Sequence, residues 1–201
     1  MRGSRAGRIQ AHVANLGSED DVVYRRALRY LAHYGSRAFE PLVEACAESS
    51  ELARCRAVMQ LGRTKDPRGL PVLVELLQDS SEAIRYDAGV ALGLLGDVRA
   101  VPVLIESLIK EPEDDLVLVG AHGAWQGLAD MGEAAIPALL RALPGASAHG
   151  RAKIGFVLAG TGAASVMPVL QDLLSDPDAS VRDQAGEMIE DLEFRLQQAA
   201  S

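Results

Sequence analysis

Apolar residues recur along the chain with the period of an amphipathic helix, and short turns interrupt them at regular distances. Residues 84–104, IRYDAGVALGLLGDVRAVPVL, show the arrangement: an apolar-periodic run reaches a Gly-Asp turn, and a second run begins with a proline near its start. Sustained alternation of apolar and polar residues, which is the pattern of a strand, does not occur. The sequence therefore predicts helices joined by short turns.

The same pair of helices repeats along the chain. Five prolines precede apolar runs at separations of 30, 31, 35 and 31 residues, namely Pro41, Pro71, Pro102, Pro137 and Pro168. The text around them is similar: EPLVEAC, LPVLVELL, VPVLIESL, IPALLRAL and MPVLQDLL. Such a period is typical of repeat architectures, in which neighbouring units bury each other's apolar stripes. The fourth copy carries an acidic insertion, KEPEDDLVLV, in which we expect residues 111–115 to form a mobile loop.

Residues that favour helix ends fall at the boundaries of these runs. Proline is tolerated in a first helical turn, where the N–H groups have no partner in the helix. We expect N-caps at Ser50, Ser81 and Ser180, and terminal glycines at Gly35, Gly96, Gly132 and Gly162. A shortened first helix is predicted around Ile9, Val13 and Leu16. The sequence thus predicts about six helix pairs in a single domain, residues 1–201, with residues 1–4 disordered or left from cloning.

On these residues the chain resembles HEAT repeats, and in particular the short kind found in phycocyanobilin lyase subunits. The shared motif is Pro-x-L-x-x-L-L, a short loop, then [V/I]-R-x-x-A-x-x-x-L-G, and it covers roughly residues 5–197. The resemblance implies an all-α fold, a right-handed α-solenoid of HEAT-like helix pairs.

The resemblance also implies a role for the arginine of the motif, which in the family pairs with an acidic loop residue and holds neighbouring repeats together. The arginines at this position are Arg54, Arg85, Arg151 and Arg182, and Asp79 and Asp176 are acidic residues that could serve. Copies one and four depart from the pattern, because Tyr24 and Ala121 replace the arginine.

The sequence contains no motif of catalysis or nucleotide binding. There is no P-loop, no GxGxxG after a strand, no HExxH and no GxSxG. The four histidines, His12, His33, His122 and His149, fall on different helices, so we expect no metal site. Cys46 and Cys55 have no CxxC spacing, and we interpret them as small buried residues. We therefore predict a protein that is not an enzyme and has no cofactor.

The charge of the chain is acidic but unevenly distributed. The net charge is −8, yet residues 1–65 carry 11 Lys and Arg against 7 Asp and Glu, whereas residues 66–201 carry 9 against 21. The acidic majority argues against nucleic acid as a partner. No apolar run approaches the ~18 residues of a membrane span, and no secretory signal is recognisable, so we expect a cytoplasmic location. The basic end predicts an acidic protein or peptide partner with apolar anchors, or head-to-tail association between copies.

In HEAT repeats the arginine-bearing helix lines the concave face, so its outward positions can be aligned across copies. The columns of Tyr86, Asp87, Val90 and Leu94 predict a groove that runs from basic, through apolar, to acidic; copy five places Ala152 and Lys153 in them. The predicted partner-binding residues are Arg25, Arg26, Arg29, His33, Arg56, Met59, Arg63, Tyr86, Val90, His122, Gln126 and Phe156. The alternative interpretation is an ordinary solvated helix surface, or an alignment shifted by one residue.

Trp125 has two interpretations. It occupies the column of Gly89 and Gly155, so its ring could fill the space that glycine leaves in both neighbouring copies. Alternatively it is a recognition aromatic beside His122 and Gln126.

The function that we predict is a non-enzymatic protein–protein interaction scaffold, which binds a partner segment on the concave face by shape and charge. The resemblance leaves a second function open, an accessory subunit of a bilin-lyase-like enzyme.

Overall fold

The computed structural model describes residues 4–47, 50–110 and 123–199. These residues form α-helices joined by short turns, many of them 3₁₀ turns, and no strand occurs among them. The contacts divide the chain into two compact units, Met1–Asp97 and Val98–Ser201. The single domain over residues 1–201 stays a prediction. The first three residues and the acidic loop expected at residues 111–115 lie outside the described residues.

The first unit contains three helix pairs. The first helix of each pair contacts the second, α1 also contacts α3, and α4 packs closely along α6. The buried core consists of small and branched aliphatic side chains such as Ala27, Leu42, Leu61 and Leu92. The helices are α1 (Arg5–Ala14), α2 (Asp21–Tyr34), α3 (Phe39–Ala45), α4 (Glu51–Arg63), α5 (Gly69–Leu76) and α6 (Glu82–Leu95).

The second unit repeats this arrangement. Its α10 packs against α12, α7 and α8 as well as its own partner. The helices are α7 (Val101–Lys110), α8 (Gly123–Met131), α9 (Ile136–Ala142), α10 (Ala148–Gly160), α11 (Met167–Leu173) and α12 (Ala179–Ala199). The described ranges thus confirm the six predicted helix pairs.

Most of the predicted helix ends are confirmed. Ser50 and Ser81 accept hydrogen bonds from the first turns of α4 and α6, and Gly96 ends α6 in the left-handed conformation, with φ 72°. The prediction for Ser180 is wrong, because α12 begins at Ala179 and the Asp178 carboxylate accepts the Ser180 N–H at 2.9 Å. Ser4, which was expected to lie outside the fold, caps α1 by accepting the Gly7 N–H at 3.1 Å.

Two arginines hold neighbouring helix pairs together, as the resemblance implied. Arg54 on α4 donates to the carbonyl of Cys46 at 3.0 Å and forms an ion pair with Asp79, in the loop before α6. Arg151 on α10 binds both oxygens of Asp176 at 2.7 Å. The hydrogen bond from Arg151 and its positive charge lower the pKa of Asp176. These pairs confirm Asp79 and Asp176 as the acidic partners.

The other two arginines of the motif act within their own pairs. Arg85 is exposed and donates to the carbonyls of Asp79 and Ser80 at 2.9 and 3.1 Å. Arg182 donates in the same way to the carbonyls of Asp176 and Pro177. They therefore fasten the loop that precedes their own helix, and among the described residues neither of them has a hydrogen bond or ion pair with a neighbouring pair.

The prediction that Lys153 faces outward is wrong. Its side chain is fully buried, and Nζ donates to the carbonyl of Leu108 at 3.2 Å. Ala152 is buried as well. The reason is the environment of α10, which is packed by several helices and has little outward face.

The described helices include none with the length and apolar character that crossing a bilayer requires.

Candidate partner-binding groove

A concavity of about 240 Å³ lies in the first unit between α2, α4 and α6. We call it the α4 groove, and it is lined by Tyr24, Cys55, Arg56, Met59, Arg63 and Asp87. Three of these, Arg56, Met59 and Arg63, are predicted partner-binding residues. The structure therefore brings together the middle part of the predicted site.

Helix geometry explains why α4 presents these three side chains on one side. Positions 56, 59 and 63 have the spacing i, i+3, i+7, which repeats along one face of a helix. The opposite face carries the buried side chains of Ala57, Val58 and Leu61. The core contacts of α4 thus fix the direction in which the groove residues point.

Arg56 is held by the first helix pair. Its Nη1 donates to the carbonyls of Leu16 and Ser18 at 2.8 and 2.7 Å. Its guanidinium lies 3.9 Å from the centroid of the Tyr24 ring, at the distance of a cation–π contact. Arg56 is therefore a wall of the groove with a fixed position, and it joins the first pair to the second.

Tyr24 is a residue whose role the sequence did not reveal. It stands where other copies have the arginine of the motif, and this replacement was the available signal. The ring supports Arg56 in place of an ion pair. A substitution that interrupted the repeat pattern thus marked a position with a different contact.

Arg63 and Met59 form the part of the groove that is open to a ligand. Arg63 is exposed and Met59 is half-buried. Within the described ranges, Arg63 has no ion pair and its side chain makes no hydrogen bond. The groove therefore offers a cation beside a flexible, polarizable apolar side chain.

Cys55 and Asp87 also line the groove and interact with each other. Burial, together with a hydrogen bond to Asp87, raises the pKa of the Cys55 thiol to about 12. Burial also raises the pKa of Asp87. A thiol with so high a pKa stays protonated at neutral pH and is a poor nucleophile, and the same applies to the buried Cys46, whose pKa is also about 12.

The predicted cations of α2 are all exposed. Arg25 pairs with Asp21 on the same helix at 2.6 Å, and both side chains are largely in solvent. Arg26 and Arg29 have no ion pair among the described residues. The His33 ring lies edge-on to Tyr34, with 5.9 Å between the ring centroids. The three arginines place positive charge on the helix that borders the groove.

The remaining predicted residues lie outside the α4 groove. Tyr86 is 37% exposed on α6, and Val90 is half-buried on the same helix. In the second unit, Gln126 donates to Asp130 at 2.8 Å and Phe156 is half-buried. His122 lies outside the described residues. A role for these residues stays a prediction.

Trp125 packs against a glycine other than the predicted one. A Cβ atom added at Gly160 would lie 3.0 Å from the Trp125 ring. At Gly155, an added Cβ would instead meet Met188 and Leu173, at 2.6 and 2.9 Å. Within the second unit, Trp125 therefore fills space left by a glycine, but the glycine is one turn further along α10.

No metal centre is formed in the parts of the chain that the structure describes, where no three His, Cys, Asp or Glu side chains converge in a way that could hold an ion.

Comparison with known proteins matches part of the chain to a repeat family. Residues 39–124 match the family model of HEAT repeats. Curated proteins of known function include no significant match. A chain in the complex of CpcE and CpcF of phycocyanin lyase from Nostoc sp. PCC7120 is 22% identical; the match covers 92% of this chain and 76% of that one, with a TM-score of 0.50.

Two further solved structures show the same kind of likeness. Human deoxyhypusine hydroxylase is 19% identical over 94% of this chain and 96% of its own, with a TM-score of 0.43. A designed armadillo repeat protein is 24% identical over 92% of this chain and 99% of its own, with a TM-score of 0.41. Identities this low concern the fold and not the function. The all-α fold class, an α-solenoid of helix pairs, is confirmed.

Proposed function

We propose that this chain is a non-enzymatic interaction scaffold that binds an acidic protein segment in the α4 groove. The observation that carries the proposal is the exposed, unpaired Arg63 beside Met59, in a concavity whose other walls are fixed by core contacts. Binding of this kind requires no catalytic group, and the Cys55 thiol that lines the groove has a pKa of about 12.

The charge of the surroundings supports an acidic ligand. Arg26 and Arg29 on α2 add two exposed cations without ion pairs in the described part of the chain. Residues 1–65 have an excess of four positive charges, whereas the rest of the chain is strongly acidic. A basic patch on an acidic molecule steers an acidic segment toward that patch and disfavours other orientations.

The apolar part of the groove supports a ligand with an apolar anchor. Exposed ion pairs contribute about 0–1 kcal/mol each, so cations alone would bind weakly. Met59 offers a contact that adapts to different aliphatic or aromatic side chains. Tight binding would therefore depend on an anchor at Met59, with the cations setting orientation and rate of association.

The test is a double charge reversal, Arg29→Glu with Arg63→Glu. The matched control is Arg37→Glu with Arg141→Glu, two exposed positions that are not in the lining of the groove. Linear peptides are first selected from a random library on the wild-type protein. We expect acidic peptides with an apolar residue, weaker binding and a flatter salt dependence in the groove variant, and an unchanged melting temperature. Equal binding by the groove variant and the control variant would refute the proposal.

The accessory role in a bilin-lyase-like enzyme rests on likeness of fold alone. A coloured complex after incubation with a bilin, retained through gel filtration, would favour that role over the scaffold.

A further inference from the structure

A second, smaller cavity lies beside the α4 groove in the first unit. Its volume is about 100 Å³, and it is bordered by α2, α3 and α4. We call it the Gln60 pocket, and its lining includes Leu31, Gly35, Leu42, Gln60, Arg63 and Thr64. The Arg63 side chain borders both the groove and the pocket.

Gln60 is an unusual residue in this position, because it is 4% exposed among aliphatic neighbours. In the described part of the chain, its Nε2 has no hydrogen-bond acceptor. A buried amide without a partner is unfavourable, and proteins rarely retain one without a reason. The amide of Gln60 thus has hydrogen-bonding capacity that the fold itself does not use.

The other polar groups of the pocket define what it can accept. Thr64 is already occupied, since its Oγ1 donates to the carbonyl of Leu61 at 2.7 Å and accepts the Asp66 N–H at 3.2 Å. Arg63 has no ion pair among the described residues, and no acidic side chain lines the cavity. The pocket therefore provides a neutral donor, one cation and apolar walls at Leu31 and Leu42.

From this arrangement we infer that the Gln60 pocket receives the carboxylate of a Glu or Asp side chain, with its oxygens bound by Gln60 Nε2 and the Arg63 guanidinium. A single cation balances the single charge of a carboxylate, whereas a phosphate dianion requires more positive charge. The methylene groups of the ligand would contact Leu31 and Leu42. The inference rests on the proposed function, because it names the ligand group that the acidic segment would insert.

The first experiment measures the chemistry of the pocket with small probes. The ¹⁵N-labelled protein is titrated with N-acetylglutamate α-amide and, as an uncharged match, with N-acetylglutamine α-amide. We expect saturable shifts of the Gln60 side-chain amide and of the Gly35 and Thr64 backbone amides with the carboxylate probe alone. No saturable shift, or equal shifts with both probes, would overturn the inference and leave ordered water as the partner of Gln60.

The variants for this experiment are Gln60→Met and Gln60→Leu, which replace the amide donor with an apolar side chain of similar size. Because an unpartnered amide is lost, both should melt at or above the temperature of the parent. The shifts at Gly35 and Thr64 should disappear in both variants. Shifts that persist in either folded variant would show that the carboxylate binds elsewhere.

The second experiment distinguishes a peptide side chain from a free small carboxylate. In a peptide selected on the wild-type protein, each Glu or Asp is replaced in turn by Gln or Asn. One replacement should weaken binding to the wild type by about tenfold, as expected for a lost charged hydrogen bond, and should have little effect on binding to Gln60→Met. Absence of this coupling would assign the pocket to free carboxylates if the small probe binds there.

The two proposals fail in different ways. Peptides that respond to the reversal of Arg29 and Arg63 but show no coupling to Gln60, together with a negative titration, would overturn the inference and leave the proposed function intact. Failure to select any peptide that depends on the groove would overturn the proposed function, and with it the assignment of a peptide side chain to the pocket.

Discussion

Arg54 and Arg85 occupy the same position in neighbouring repeats, yet their contacts differ. The Arg54 side chain is 22% exposed and bridges two helix pairs through Cys46 and Asp79. Arg85 is exposed and binds two carbonyls of the loop before its own helix. The sequence pattern does not distinguish the two arginines, but within the described residues only Arg54 of the two bridges two helix pairs.

We therefore expect Arg54→Ala to destabilise the protein by about 1–3 kcal/mol, because it leaves the part-buried Cys46 carbonyl and Oδ2 of Asp79 without the arginine donor. Arg85→Ala should change stability by about 0.5 kcal/mol or less, as is usual for an exposed side chain. Urea unfolding of both variants at equal m-value measures the difference. An equal loss of stability in the two variants would contradict the assignment of Arg54 as the bridging residue.

At the scale of helices, the sequence was sufficient to predict where the helices lie along the chain. Glycine and proline mark the helix ends through backbone geometry that depends on local residues, as Gly96 shows with its φ of 72°. The repeat period then pairs the helices. The direction in which individual side chains point was less predictable. Lys153 was assigned to an outward column, but α10 is covered by several helices, and this depends on contacts that a single helix does not encode.

The groove was predictable to a similar degree. The spacing of Arg56, Met59 and Arg63 places them on one face of α4, and all three line the same concavity. The contact of Arg56 with Tyr24, and the unpartnered amide of Gln60, come from side chains on separate helices. A sequence pattern does not show contacts between side chains on separate helices. A Gln among the apolar positions of α4 was nevertheless a visible irregularity.

The close packing of α4 along α6 depends on one glycine. A Cβ atom at Gly62 would collide with the backbone of Ala91, so the two helices approach each other only because this side chain is absent. In contrast, a Cβ at Gly186, in the interior of α12, would have no neighbour within 4 Å. The same substitution should therefore have opposite effects at the two positions.

We expect Gly62→Ala to destabilise the protein by about 1–3 kcal/mol through overpacking, even though alanine favours a helix. Gly186→Ala should stabilise it by up to about 1 kcal/mol, because only the helix propensity changes. Thermal and urea unfolding of the two variants are the measurements. A neutral or stabilising Gly62→Ala would show that α4 and α6 can separate at little cost.

At the scale of the whole molecule, the distribution of charge is the dominant feature. The basic residues gather before residue 66, and the acidic ones follow. The last described helix, α12, carries Glu187, Glu190, Asp191 and Glu193, and its Phe194 side chain is 60% exposed. This helix has the chemistry that we expect of a ligand for the α4 groove, which is an acidic segment with an apolar anchor.

A second copy of the chain is therefore a competitor for the groove, and the charge separation predicts weak head-to-tail association. Sedimentation velocity at low ionic strength should show assembly that grows with protein concentration. This assembly should vanish near 1 M salt, where the Debye length is about 3 Å. The reversal of Arg29 and Arg63, or the replacement Phe194→Ala, should each abolish assembly, whereas the reversal of Arg37 and Arg141 should not.

A charge exchange makes this prediction specific to the two surfaces. The variant Glu187→Lys with Glu190→Lys should not assemble alone, because its last helix no longer complements the groove. Mixed with the Arg29→Glu, Arg63→Glu variant, it should form a complex of the two, because the unaltered groove of one variant meets the unaltered last helix of the other. The two reversed surfaces should also attract each other. A wild-type protein that sediments as a monomer at every concentration and salt would leave the groove to other partners.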